Sequence, residues 1–189
     1  MEETDAAALA RAIAGDQDGF RLLVERHSRS VFRLAYRLTG NEQDAEDVVQ
    51  ETFLRAFKQL RNFESRASFG TWLYRIAANY SLDLIRSRRR HQDQRPGTDD
   101  ATDAMLSVPA TDPGPDRVAY SVQVEARIST AMAALSEQER TAFVLRHFEG
   151  FSIEEIGSTL GLGVSAAKHS IFRAVQKLRK ALEPVVSSL

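Results

Sequence analysis

Residues 152–182, SIEEIGSTLGLGVSAAKHSIFRAVQKLRKAL, carry the pattern on which the fold turns. Ser152, three residues before Glu155, is a capping box that pairs two otherwise orphaned backbone N–H groups and starts a short helix. Ile153, Ile156 and Leu160 are its apolar positions. Gly161-Leu162-Gly163 supplies a turn, and a longer basic helix follows from about Val164 to Leu182. A short helix, a glycine-containing turn and a longer basic helix make a helix-turn-helix. The spacing predicts Ile156, Leu160, Val164, Ile171, Val175 and Leu178 as inward positions. Lys168, His169, Phe172 and Arg173 then share an outward arc, the kind of face that reads base edges in a major groove and holds phosphates. Lys177, Arg179 and Lys180 lie further along and suit backbone contacts.

Outward from that stretch, Ser136-Glu137-Gln138-Glu139 is a second capping box, opening a helix with Ala142, Phe143, Leu145 and Phe148 that Gly150 is expected to end. A further helix is expected from about Pro115 to Leu135. Residues 91–116, HQDQRPGTDDATDAMLSVPATDPGPD, hold four of the five prolines and six Asp. Such a composition buries little and restricts helix, so it reads as a flexible linker with an rms span of about 28 Å. Before it, almost everything has helical spacing. Leu22, Leu23, Val31, Phe32, Leu34, Ala35 and Leu38 form a stripe that Thr39-Gly40 closes. Asn41 is placed to cap the next helix, along which Val49, Phe53, Phe57 and Leu60 are the expected inward positions. From about Ser68 to Arg90, Trp72, Leu73, Ile76, Ala77, Tyr80 and Leu84 lie on one broad face. No stretch alternates with period two long enough for a strand. The expected fold is all-α, with two small helical domains on a tether: 1–90 with three or four helices, linker 91–116, and 117–189 ending in the helix-turn-helix.

The 25 basic and 26 acidic side chains leave a formal net charge of −1, but they are not mixed evenly. Residues 1–54 carry 6 basic against 11 acidic, residues 55–90 carry 9 against 2, and residues 91–116 set Arg95 against six Asp. From Gly163 to Leu182 there are five basic residues and no acid. Blocks of this size steer encounters with partners of both signs even when the total is neutral. There is no Cys, hence no disulfide, thiolate zinc site or cysteine nucleophile. The four His, at 27, 91, 147 and 169, never fall in a metal-ligand spacing. No apolar run approaches the roughly 18 residues of a membrane span, and Met1-Glu2-Glu3 is acidic rather than signal-like, so a soluble cytoplasmic protein is expected.

Two further stretches bear chemistry. In FGTWLYRIAANYSLDLIRSRRR (69–90), aromatic residues interleave with Arg75, Arg86, Arg88, Arg89 and Arg90. Rings that stack on bases beside a cationic track are how single-stranded nucleic acid is held. In DAEDVVQETF (44–53), Asp44, Glu46, Asp47 and Glu51 are expected on an exposed helix face, with Val49 and Phe53 inward. No second helix offers matching ligands for a metal, so an acidic docking face for a basic partner is the better reading. Phosphate-binding, dinucleotide and nucleophile-elbow motifs are absent, and no nucleophile has a positioned base. An enzyme and a bound cofactor are therefore not expected.

Together, DAEDVVQETFLRAF (44–57), FGTWLYRIAANYSLDLIRSRRR (69–90) and LSEQERTAFVLRHFEGFSIEEIGSTLGLGVSAAKHSIFRAVQKLRKAL (135–182) resemble the extracytoplasmic-function sigma factors of the sigma-70 family, from about Asp16 to Leu182 with the linker unmatched. The resemblance implies a dissociable promoter-specificity subunit of bacterial RNA polymerase with no chemistry of its own. Asp44, Asp47, Val48 and Glu51 would dock on the β′ clamp helices. Phe63, Ser65, Ser68, Trp72, Tyr74, Arg75 and Asn79 would surround a base extruded from the −10 element, and Arg86 to Arg90, Arg89 included, would follow the adjoining duplex. Unstacking costs a few kcal/mol that pocket contacts must offset. Lys168, His169, Phe172, Arg173 and Lys177 would engage the −35 element, the other side of that domain would meet the β flap, and the acidic linker would thread the RNA channel. An anti-sigma factor is a further implied partner. The chain departs from the family where Gly163 stands in place of a capping Ser and where His169 and Ser170 replace a frequent Ser and Arg, so the promoter sequence does not carry over. The rival reading of the residues is a stand-alone helix-turn-helix regulator with a sensor or dimerisation domain.

Overall fold

The structure, a computed structural model, describes residues 3–63, 68–93 and 126–186. Every regular element among them is helical, and the chain divides into two compact units, 1–100 and 101–189. No helix of the described residues is long and apolar enough to cross a membrane.

The first unit is built from α1 (Asp5–Ile13), α2 (Gln17–Thr39), α3 (Glu42–Gln59), a 3₁₀ turn (Leu60–Asn62) and α4 (Phe69–Asp93). Local chemistry sets most of the boundaries. Thr4 Oγ1 accepts from the Ala7 N–H, Asp16 Oδ1 from Asp18, and Asn41 Oδ1 from Asp44, each satisfying an orphan donor of a first turn. Gly40 ends α2 in the left-handed region, as expected. Helices α2, α3 and α4 pack on one another around Leu23, Val31, Leu34, Leu38, Val48, Phe53, Leu73 and Ala77, while α1 lays Ala8 and Leu9 on α2.

Two expectations fail on α3. Val48, not Val49, is the fully buried valine, and Phe57 is 57% exposed. A step of four residues overshoots a turn of 3.6 by about 40°, so a 49–53–57 row spirals off the core. The true seam runs Ala45, Val48, Thr52 and Ala56, with Phe53 at its edge. Helix α4 also continues through His91 to Asp93, past the expected start of the linker. The remainder of 91–116 lies outside the described residues.

The second unit holds α5 (126–133), α6 (Glu137–His147), α7 (Ile153–Leu160) and α8 (Val164–Val186). The first part of the helix expected from Pro115 lies outside the described residues. Both capping boxes form: Ser136 with Glu139, and Ser152 with Glu155, each closed by a reciprocal pair of hydrogen bonds. Helix α6 stops at Phe148, earlier than expected, and Gly150 lies in the turn to α7 with φ of 70°. Gly161 ends α7 at φ 66°, a conformation that side chains with a Cβ adopt only at a cost.

The inner face of α8 differs from the expected one. Val164 is exposed, Ile171 and Val175 are half-buried, and the seam is Ala167, Ser170, Ala174 and Leu178. Closeness of approach is the reason. A Cβ on Gly157 of α7 would lie 2.8 Å from the Leu162 carbonyl oxygen and 3.9 Å from Ala167 Cβ, so only small side chains fit this crossing. Ser170 tolerates burial because its hydroxyl donates to the Ala166 carbonyl at 3.0 Å.

Candidate nucleic-acid and partner interfaces

Helix α3 presents a stripe on the side away from its seam. Asp47, Gln50, Glu51, Leu54 and Lys58 recur at helical spacing with Phe57 beside them, and all but Glu51 are exposed. Glu51 is half-covered because it accepts from Arg55 Nε at 2.6 Å, and that guanidinium sits 4.8 Å above the Tyr80 ring. The acid of the stripe is therefore carried by Asp47. Leu54, 47% exposed, and Phe57 add an apolar half that sequence reasoning missed. Phe57 rests edge-on against Phe20, ring centroids 5.0 Å apart, and keeps its other side open. Counting i, i+3, i+4 and i+7 from Asp47 would have found Leu54.

Two residues predicted for this face are withdrawn from it. Val48 is wholly buried, and Asp44 is 3% exposed with Oδ2 held 2.5 Å from an Arg88 guanidinium nitrogen of α4. Asp44 occupies the third residue of α3, where the helix turns it inward with Ala45 and Val48 rather than outward with Asp47.

At the start of α4, Phe63, Phe69 and Trp72 form a three-ring cluster with centroids 5.1 to 6.1 Å apart. Phe69 is its buried member; Phe63 and Trp72 are half-buried. The cluster is braced from behind by His27, whose ring lies edge-on to Phe69 at 5.4 Å. His27 Nε2 is 2.7 Å from Asp5 Oδ2, and Arg26 donates to the other Asp5 oxygen at 3.0 Å. Burial alone would push the Asp5 carboxyl up, but these two partners outweigh it and hold the pKa below the usual aspartate value. Ser68 Oγ accepts from the Thr71 N–H and thus acts as a helix cap. Tyr74 and Arg75 are half-buried, and Arg75 Nε is a buried donor with no acceptor among the described residues. Asn79 is exposed one turn on, and Ser65 lies outside the described residues.

At the other end of α4 the arginine run splits. Arg86, Arg89 and Arg90, at i, i+3 and i+4, share one exposed face. Arg88 is turned about 200° from Arg86 and belongs to Asp44 instead. Arg88 therefore leaves the exposed face that Arg86, Arg89 and Arg90 share.

On α8, Lys168, His169, Phe172 and Arg173 are all exposed, with Phe172 at 60%, so the structure brings the predicted reading face together. Lys177 does not join it. Its Nζ lies 2.6 Å from Glu139 Oε2, tying α8 to the first turn of α6. Further along, α6 and α8 bound a groove of about 660 Å³ whose apolar wall includes Phe143, Val175 and Leu182 and whose rim carries Arg179, Lys180 and Glu183.

Burial raises the Glu139 pKa, but Lys177 and the Ser136 N–H lower it further, so the net shift is downward from 4.5. A carboxylate depressed in the folded state stabilises fully above its unfolded pKa, and that contribution is lost as pH falls through the folded one. Unfolding free energy should therefore drop below about pH 4.5, and Glu139→Gln should flatten the drop. Denaturant titrations of both proteins from pH 6 to about pH 3 check this; parallel curves would remove Glu139 from the account.

Two family descriptions match the chain: Sigma-70 region 2 over residues 23–91, and Sigma-70, region 4 over residues 125–178. The RNA polymerase sigma-H factor of Pseudomonas aeruginosa is 34% identical, over 98% of this chain and 97% of that one. The ECF RNA polymerase sigma factor SigE of Mycolicibacterium smegmatis is 40% identical over 85% of this chain, which spans 60% of that relative's length. Among solved structures, CnrH in complex with the cytosolic domain of CnrY aligns over 96% of this chain and 99% of its own at a TM-score of 0.66 and 29% identity. The sigma factor RpoE from Bartonella quintana, solved with the anti-sigma factor NepR, shares the fold at a TM-score of 0.69 and 24% identity.

Proposed function

Because this chain belongs to the extracytoplasmic-function (ECF) sigma factors of the sigma-70 family, as the ECF RNA polymerase sigma factor SigW of Bacillus subtilis, 32% identical over 89% of this chain and 91% of that one, also indicates, we propose that it joins core RNA polymerase in the cytoplasm through the α3 stripe and directs it to promoters through α4 and α8. It is an alternative sigma factor and not an enzyme. The observation that carries the assignment of faces is the separation of charge in the first unit. Asp47, Leu54 and Phe57 form one acidic-apolar surface on α3, whereas the aromatic cluster and the Arg86, Arg89 and Arg90 face belong to α4. A protein partner and a nucleic acid can therefore be held at once.

In this reading Asp47 meets cations on the β′ clamp helices while Leu54 and Phe57 supply the apolar contact, and Glu51 stays with Arg55. Phe63, Trp72, Tyr74, Arg75 and Asn79 receive an unstacked base of the −10 element. Arg86, Arg89 and Arg90 follow the adjoining backbone. Lys168, His169, Phe172 and Arg173 enter the major groove of the −35 element. The α6–α8 groove suits an amphipathic helix with acids flanking an apolar ridge, the chemistry expected of the β flap or of an anti-sigma factor that competes for the same seat.

Reconstitution with core polymerase and run-off transcription from a genomic promoter library tests the assignment. Comigration with core at moderate salt and discrete transcripts are expected; failure to bind core would sink it. Within that system, Arg173→Ala should weaken binding to the −35 duplex and make the salt slope shallower by about one, the signature of one lost phosphate contact. An unchanged slope would place Arg173 off the DNA.

A further inference from the structure

From Arg86 to His91 every side chain of α4 except Ser87 is exposed, so apolar packing does not hold these last turns in place. Exposed helix ends with few buried contacts open most readily. Yet this is where the three-arginine face lies, and a cationic face is useful to a duplex only if its charges arrive together and in register. One tie that reaches this segment from the core is the Asp44–Arg88 ion pair, anchored in the first turn of α3. Asp44 is itself rigidly placed. Its backbone N–H donates to the capping Asn41 side chain, and its neighbour Ala45 is fully buried.

We propose that Asp44 is a positioning residue for DNA engagement: by gripping Arg88 it fixes the end of α4 so that Arg86, Arg89 and Arg90 face one duplex. The proposal rests on the reading of α4 as the −10 helix and removes Asp44 from the polymerase contact. Asp44 is chemically suited to the task. Its carboxylate is shielded from solvent, so its attraction to Arg88 is screened less than that of a surface pair. Arg88 is half exposed, with room to pivot if released. Burial pushes the Asp44 carboxyl up, Arg88 pulls it down and Asp47 pushes it up again, for a net rise. A group whose folded pKa is raised costs stability in its charged form at neutral pH. Asp44→Asn is thus expected to leave the melting temperature unchanged or slightly higher, which separates positioning from general support of the fold.

The experiment uses holoenzyme assembled from core polymerase and full-length wild-type, Asp44→Asn, Arg88→Gln or doubly substituted chain, titrated onto a fluorescent promoter fragment. Core affinity is measured separately by competition. Asp44→Asn should weaken promoter binding about 3- to 10-fold, the size typical of coupled contacting residues, with core affinity within about twofold of wild type. The double variant should be no weaker than Asp44→Asn alone, because both act through one bond. Additive losses would mean that Arg88 touches DNA itself, and a loss of core affinity would return Asp44 to the docking face. Unchanged promoter affinity would also overturn the proposal. If wild-type chain failed to bind core at all, the functional reading would fall and this proposal with it, an outcome distinct from the other three.

Discussion

Leu54→Glu is expected to lower affinity for core RNA polymerase roughly 30- to 150-fold, about 2–3 kcal/mol, with no matching loss of stability. The side chain is nearly half exposed at the middle of the α3 stripe, so the isolated protein gives up little packing when it is replaced. Leu and Glu also have similar helix propensities, and surface changes of this kind usually fall within about 0.5 kcal/mol. In the complex the same position would bury a carboxylate among apolar contacts and one turn from Glu51, a desolvation cost without a partner. Asp47→Lys should do less to the equilibrium and more to the association rate, because an exposed charge acts mainly by steering. Competition binding against wild-type chain, read alongside thermal melts, distinguishes the two. Equal affinity for Leu54→Glu with an unchanged melt would move the docking surface off α3.

The second large effect concerns the helix-turn-helix. Gly157→Ala places a Cβ 2.8 Å from the Leu162 carbonyl oxygen, a backbone atom with little freedom to retreat. The clash should cost about 1–3 kcal/mol, as other overpacked interiors do. For a unit of this size each kcal/mol corresponds to about 4–8 °C in melting temperature. Because the strain lies where α7 crosses the start of α8, the reading face should be displaced as well. Binding to a −35 duplex is then expected to fall more than stability alone explains. Gly163→Ser is the control: nothing lies within 4 Å of its Cβ position, and a serine there can cap α8. Calorimetry and duplex titration of both variants check the pair, and a Gly157→Ala protein that melted and bound like wild type would show that the crossing has slack.

How far these sites could be read in advance varied with the range of the interaction. Asn41, the Ser136–Glu139 box and the Ser152–Glu155 box announce their helices because cap and capped groups lie within three residues. The exposed arc of Lys168, His169, Phe172 and Arg173 was legible for a similar reason, since neighbours on a helix face follow from spacing alone. Lys177 was not legible, because its partner Glu139 is 38 positions away. Spacing alone does not set Arg88 apart from its neighbours; Asp44, on another helix, does. Phe57 and Val164 are hydrophobic and yet exposed, because hydrophobic character states a preference and not a location. At the start of α8 the inner face is chosen by size: Ala167 goes in beside Gly157, where α7 leaves little room for valine or isoleucine.

The sequence by itself determined the all-helical class, the starts of α3, α4, α6, α7 and α8, the exposed basic arc of α8 and the family, since caps, turns and periodicity are encoded within a few residues of where they act. Only the tertiary structure decided which of several similar charges remain available to a partner. Asp47 was left on the surface and Asp44 committed to Arg88; Arg173 was left open and Lys177 committed to Glu139. The physical reason is that a charge is spent by whatever opposite charge the fold brings within about 4 Å, and that depends on where distant helices cross.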